Sequence, residues 1–171
     1  MVVAGIGIAG AFTLNALSSS LDVVGIDKRE KLGYPVECGE IIPTKKEMKI
    51  LLPDLDDYSL FDIPKRYESN RTKEMHFILP NGKTFEVDFD MHVIRRDEMI
   101  QDIARKSGHK VLLKTRIVDY DKNSSELRTT NGVFSPEVLV ASDGANSKIA
   151  KKVGVWRYEL SPAKQYLMRN V

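Results

Sequence analysis

The most constraining feature of the chain is at its start. Met1-Val2-Val3-Ala4 is an apolar run that breaks at Gly5, and Gly5-Ile6-Gly7-Ile8-Ala9-Gly10 then spells G-x-G-x-x-G. A helical stretch follows over Gly10–Ser19, with Ala11, Leu14 and Leu17 at three-residue steps, and a second apolar run, Val23–Ile26, ends at Asp27. Strand, tight turn, helix and strand in this order make the first β-α-β unit of an α/β fold. Each glycine has a mechanical reason. The first permits the turn out of the strand, the second lets a pyrophosphate approach the backbone, and the third lets the helix pack on the sheet. The helix start then offers free N–H groups and a partial positive charge to phosphates. A carboxylate at the end of the second strand, here Asp27, suits the hydroxyls of an adenosine ribose; its bland alternative is a solvent-facing strand-end acid. The expectation is a dinucleotide site, and the fingerprint by itself does not separate FAD from NAD(P).

Composition narrows the class. The chain has 171 residues, 42% hydrophobic and 29% charged, as expected of a folded globular chain rather than a disordered one. Lys and Arg number 26 against 24 Asp and Glu, a net charge of +2 that argues against a nucleic-acid binder working through a broad basic surface. The uncharged stretch Met1–Leu21 is interrupted by serines, an Asn and glycines, so no membrane span or signal peptide is expected. One cysteine, Cys38, excludes an internal disulfide, and the scattered His76, His92 and His109 give no metal site. A cytoplasmic protein is the resulting expectation.

Farther along, Lys45–Leu52 reads as a short helix followed by a charged, proline-punctuated loop. Met75–Leu79 and Thr84–Phe89 flank Pro80-Asn81-Gly82-Lys83 as a hairpin. Arg95–Ser107 is a helix with Met99, Ile100, Ile103 and Ala104 on its apolar face and Gly108 at its stop. Val111–Leu113 is a further apolar run. Arg116–Asp121 and Glu126–Thr130 form a second hairpin, with Asn131-Gly132 as another turn, and Val138–Ala141 reads as a buried strand. Ser147–Val153 is a helix ending at Gly154, which Asp143-Gly144 is placed to cap. The Lys45-Lys46 and Lys151-Lys152 pairs read as solvated faces. Trp156 and Tyr158 fit a core or a substrate wall equally well.

Hairpins on both sides of the Arg95–Ser107 helix, and an apolar strand running into Ala141-Ser142-Asp143-Gly144-Ala145-Asn146-Ser147, resemble flavin-dependent reductases and hydroxylases of the glutathione-reductase-like class rather than NAD-type folds. Within that class, Pro35-Val36-Glu37-Cys38-Gly39-Glu40 resembles the Pro-x-x-Cys-Gly-Glu segment of the geranylgeranyl reductase family. Val93-Ile94-Arg95-Arg96-Asp97 is similar to that family's arginine-aspartate start of the second core helix, and Gln165-Tyr166-Leu167-Met168 to the stretch that opens its substrate sheet.

The resemblance implies a Rossmann-like FAD/NAD(P)-binding domain over residues 1–155, a parallel sheet with helices and an inserted antiparallel hairpin layer at 45–94. Residues 156–171 would begin a second, substrate-binding sheet. It implies FAD as cofactor and a reaction in which reduced flavin saturates double bonds of isoprenoid chains in ether lipids. Gly5, Gly7, Gly10 and Asp27, with Ala9 in the same loop, would serve the AMP half and pyrophosphate. Cys38 and Gly39 would lie toward the flavin, and Arg96 would bind phosphate or ribityl oxygens. Ile117 would offer backbone contacts to adenine, and Asp143 counts with the cofactor residues. Read from the residues alone, Cys38 is a small structural thiol, Arg95 and Arg96 are interchangeable, and an arginine at a helix start is misplaced for the dipole, which suggests a ligand phosphate or a nearby carboxylate.

The partners implied are an isoprenoid lipid, an electron donor (NAD(P)H or a ferredoxin-type protein) and peripheral contact with a membrane. The family pattern continues past Val171 into a substrate sheet and a Gly-Asp segment. The expectation is therefore the FAD-binding part of such a reductase, inactive alone. A non-catalytic nucleotide-binding module that pairs with a partner chain, and an aromatic hydroxylase, are the alternatives.

Overall fold

The computed structural model describes residues 1–162; the expected Gln165–Met168 similarity and most of the expected substrate strand lie outside the described residues. The chain divides into two units, residues 1–37 with 97–171, and residues 38–96.

The first unit is a mixed α/β structure. β1 (Val2–Ala4), β2 (Val24–Ile26), β6 (Lys110–Leu112) and β10 (Leu139–Ala141) form a parallel sheet in the order β10-β1-β2-β6. Strand alternation divides β1 between two cores. Val3 faces α1 (Ile8–Ala16) and α3 (Arg96–Lys106), where it joins Ile6, Ala11, Leu14, Ile100 and Ala104. Val2 and Ala4 face the other way and join Ile26, Leu127 and Ile149. Leu127 belongs to an antiparallel sheet of β7 (Ile117–Asp121), β8 (Glu126–Thr129) and β9 (Gly132–Phe134), and Ile149 to α4 (Lys148–Val153). The parallel sheet is thus covered by helices on one face and by a small sheet with one helix on the other.

The fingerprint helix α1 starts and ends earlier than its sequence periodicity predicts. Gly7 is its N-cap, so Gly10 lies inside the first turn. At the other end Leu17 turns extended, and the Ser18 hydroxyl engages the Ser20 hydroxyl and backbone N–H, a local alternative that competes with another helical turn. β10 is half-buried rather than buried, because it is the last strand of the described sheet. The Asn131-Gly132 turn leads into β9, a strand the sequence reading lacked.

Asp119 of β7 ties this antiparallel sheet together. It faces Arg128 across the ladder and accepts a 2.8 Å ion pair from Lys152 of α4. The Lys152 ammonium, then Arg128, holds its carboxyl down to about 2 from the ordinary 3.8. A depressed acid stabilises the fold above its unfolded value and loses that contribution as the folded group protonates. Stability is therefore expected to fall as pH drops from 3.8 toward about 2. Asp119→Asn is expected to flatten that limb, which thermal melts across the window would show.

The second unit is a long hairpin with a short helix. β4 (Glu68–Ile78) and β5 (Thr84–Ile94) are eleven residues each, and β3 (Ile41–Pro43) pairs with β5 on its other side. The Pro80–Lys83 turn closes as expected, with Gly82 at φ 79°. The strands run well beyond the expected Met75–Leu79 and Thr84–Phe89: the inner half of β4 lacks apolar alternation and is held by cross-strand charge pairs, Arg71 with Asp90 and Glu68 with His92, while the Phe85-Val87-Phe89 alternation of β5 simply continues through Met91 and Val93. α2 (Lys45–Leu51) matches its expected range to one residue, and its cap Thr44 accepts from the Glu47 N–H.

Candidate functional site

The first unit brings the fingerprint glycines against the end of β10. Gly5 has φ 92°, and a Cβ there would lie 2.5 Å from the Ser142 carbonyl oxygen. A Cβ on Gly10 would lie 2.0 Å from the Gly5 carbonyl oxygen. The same carbonyl accepts a 2.7 Å hydrogen bond from the Ser142 hydroxyl, which also donates to Ala4 O at 3.1 Å. The first and third glycines are therefore required by the protein itself. Gly7 is different. Among the described residues nothing lies within 4 Å of its Cβ position, its φ of −80° is ordinary, and it caps α1 without a side-chain hydrogen bond. No acidic residue stands in the first turn, where Ile8 and Ala9 are exposed. The opening turn of α1 is bare backbone with space over it.

Asp27 is 4% exposed, which overturns the alternative of a solvent-facing strand-end carboxylate. Its Oδ2 accepts the Ile6 N–H and its Oδ1 the Arg29 N–H, both at 2.8 Å. Arg29 Nη1 lies 4.0 Å from Oδ1, and Arg29 Nη2 reaches Glu37 at 2.8 Å. The carboxylate thus splints the glycine loop to the end of β2. Asp27→Asn puts an amide N–H₂ against one of two backbone donors, so a loss of about 1–3 kcal/mol is expected in urea unfolding.

Asp143 spends its carboxylate on α4. Oδ1 accepts from the Ser147 hydroxyl at 2.5 Å, and Oδ2 from the Lys148 N–H at 2.7 Å. The capping reading is the one the geometry displays. Ile117 opens β7, and its carbonyl accepts from Lys148 Nζ at 3.2 Å. The sequence reading missed two residues that hold this loop. Ser142 was visible only as part of the Ser-Asp-Gly segment. Thr115, 1% exposed, donates its N–H to Asp27 O at 2.8 Å and takes a 2.9 Å bond from Asn131, and no local pattern marks it.

The second unit carries Cys38, Gly39 and Arg96. The Cys38 thiol is exposed, and among the described residues a Cβ on Gly39 would meet Ile41 side-chain atoms at 3.9 Å and nothing closer. Glu40 accepts the Arg96 N–H at 3.0 Å through Oε1, while its carbonyl takes the Ile94 N–H at 2.8 Å. That carboxylate takes a free backbone N–H at the start of α3 and leaves the Arg96 guanidinium unaddressed. Arg95 and Arg96 are not interchangeable: Arg95 donates to the Arg66 carbonyl, whereas the Nε of Arg96 is buried without a hydrogen-bond partner among the described residues. In the first unit, the bare start of α1 with an open glycine fits a phosphate-bearing ligand.

Similarity to known proteins agrees with this fold. No protein-family model matches the chain. A Methanosarcina barkeri protein encoded in the nifH2 5′ region is 27% identical over 166 residues, 91% of this chain and 87% of that one. The digeranylgeranylglycerophospholipid reductases of Methanocaldococcus jannaschii and Methanococcus vannielii are 26% and 24% identical over 188 residues, covering all of this chain. The chain spans 45% of the length of those two reductases. Among solved structures, a geranylgeranyl bacteriochlorophyll reductase-like protein of Thermoplasma acidophilum superposes with a TM-score of 0.62 at 20% identity, over 84% of this chain and 38% of that one. The p-nitrophenol 4-monooxygenase of Pseudomonas putida superposes at 0.60 and 14% identity, over 90% and 42%. Among the described residues no helix is long and apolar enough to cross a membrane. The chain is thus similar in sequence to digeranylgeranylglycerophospholipid reductases, and its mixed α/β fold with a parallel sheet is shared with a geranylgeranyl bacteriochlorophyll reductase-like protein and with a monooxygenase.

Proposed function

We propose that the chain binds FAD through its glycine fingerprint, in a domain of the glutathione-reductase type, and serves a reductase that saturates double bonds of geranylgeranyl chains in isoprenoid ether lipids. The observation that carries the cofactor reading is the open Gly7 at the bare start of α1, framed by glycines whose own Cβ positions are filled by protein. The pyrophosphate would sit against the first-turn N–H groups, where no acidic side chain competes. Asp27, Ser142 and Thr115 hold that loop rigid, so its donors are aimed before a ligand arrives. Bound and reduced, FAD supplies the electrons for saturating a carbon–carbon double bond.

The reductase reading is supported by the names of the sequence relatives. Fold likeness does not decide it, since a monooxygenase superposes almost equally well. The test is direct. Purified chain is mixed with FAD, freed of excess ligand and read for the visible flavin band, with folding checked by circular dichroism. Retained flavin is the expected result; a folded chain that binds none overturns the reading.

A further inference from the structure

The crossing from β6 to β7 holds a residue in a conformation that its side chain disfavours. Lys114 has φ 53°, in the left-handed region, where a residue with a Cβ is strained. Each of its polar groups is engaged. The N–H donates to the Arg29 carbonyl at 2.9 Å, and the ammonium pairs with Glu30 at 2.7 Å. The carbonyl accepts from the Thr130 hydroxyl at 3.3 Å and from Asn131 Nδ2 at 3.4 Å. The next residue, Thr115, is 1% exposed. Its N–H donates to Asp27 O at 2.8 Å and its hydroxyl to Leu113 O at 2.9 Å, while the hydroxyl oxygen accepts from Asn131 Nδ2 at 2.9 Å. The strained bend is thus clamped on one side by the end of β2 and on the other by the Thr130-Asn131 turn. Strain kept under so many restraints points to a segment whose shape is used.

The bend stands where the ligand of such a sheet would end. β1, β2 and β6 are neighbours in the parallel sheet, so their C-terminal ends lie in a row about 5 Å apart. The glycine loop follows β1, Asp27 follows β2, and Lys114 comes two residues after β6. Ligands of open α/β sheets lie across these carboxyl ends. With the pyrophosphate over the glycine loop and the ribose over the end of β2, the base of a dinucleotide reaches the end of β6. Asn131 touches both residues of the bend there, through one amide nitrogen. Its own turn does not depend on that amide: the Thr129 hydroxyl accepts the Asn131 N–H at 3.2 Å and donates to Gly132 O at 2.8 Å.

We propose that Asn131 is the positioning residue of the base subsite, its amide holding the Lys114-Thr115 bend in the left-handed shape against which the adenine of the cofactor packs. The inference rests on the cofactor reading. Asn131 acts through the bend. Without its amide each residue of the bend loses a hydrogen bond, and Lys114 is released from a conformation it disfavours.

ADP and UDP share ribose and pyrophosphate and differ in the base, so the ratio of their affinities reads the base subsite alone. Each is titrated into the purified parent and Asn131→Ala chains while backbone amide resonances are followed. FAD retention is read from the flavin band, and folding is checked by circular dichroism. The parent is expected to bind ADP more tightly than UDP. Asn131→Ala is expected to lose about tenfold in ADP affinity, while its UDP affinity holds. A second substitution tests the strain. Glycine enters the left-handed region freely, and the Glu30 pair it would lose is exposed and weak. Lys114→Gly added to Asn131→Ala is therefore expected to recover most of the ADP affinity.

The proposal is overturned by a parent that binds ADP no better than UDP, by an Asn131→Ala chain that binds ADP like the parent, or by a double variant no better than the single one. An equal loss of ADP and UDP also overturns it, since a residue that only braces the fold would give that result. A parent that retains FAD alongside any of these outcomes leaves the cofactor reading standing; a folded parent that binds neither FAD nor ADP overturns both.

Discussion

Gly10→Ala is expected to cripple the fold, although helix propensity favours alanine by about 1 kcal/mol at such a position. The new methyl would sit 2.0 Å from the Gly5 carbonyl oxygen, far inside any non-bonded carbon–oxygen contact. Relief requires α1 to lift from the sheet or the Gly5 peptide to turn away. Lifting α1 pulls Ala11 and Leu14, both fully buried, out of the core they share with Val3 and Ile6. Turning the peptide breaks the 2.7 Å bond from Ser142 and disturbs Ile6, whose N–H is held by Asp27. Overpacking against backbone that cannot yield costs about 3 kcal/mol or more, or roughly 5–10 °C in Tm for a chain of this size. Urea unfolding of Gly10→Ala measures it; stability within about 0.5 kcal/mol of the parent would show that the loop is softer than its hydrogen bonds imply.

The contrast among these glycines shows what the sequence could and could not carry. The spacing of Gly5, Gly7 and Gly10 between an apolar strand and a helix is a local pattern with one mechanical solution, so strand, turn, helix and the acid at the end of β2 were all legible. So were the Asn81-Gly82 turn and the Ser147-to-Gly154 helix, because each depends on residues a few positions apart. Asp27 was placed correctly and its surroundings were not: its burial follows from Ile6, Arg29 and Thr115 converging on it, and Thr115 comes from 88 positions later in the chain. The inner half of β4 failed for a related reason. Glu68-Ser69-Asn70-Arg71-Thr72-Lys73-Glu74 has no apolar alternation, and its strand character comes from partners on β5 such as Asp90 and His92. The Lys45-Lys46 pair is the solvated face its sequence suggests, 41% and 79% exposed, and only the Lys45–Asp62 ion pair lay beyond local reading. Patterns that are local in the chain survive reading; sites assembled from several elements do not.

Gly7→Val should do the reverse of Gly10→Ala and leave a stable protein that no longer holds FAD. The backbone at Gly7, φ −80° and ψ −155°, is extended and open to any residue, and among the described residues its Cβ direction is empty to 4 Å. The stability cost is therefore only that of a β-branched residue at an N-cap, no more than about 1 kcal/mol. The space the side chain fills is the approach to the first-turn N–H groups of α1, so a pyrophosphate would be held away from its donors. Losing those contacts should weaken FAD binding by a hundredfold or more, on the order of 3 kcal/mol, with Gly7→Ala between the two. Flavin fluorescence titration measures the affinity, and urea unfolding of the same sample measures the fold. The pair of measurements is decisive because one glycine separates the two properties that Gly10 combines. A folded Gly7→Val chain that binds FAD like the parent would mean that the pyrophosphate does not pass over this turn, and the fingerprint would then be a packing device alone.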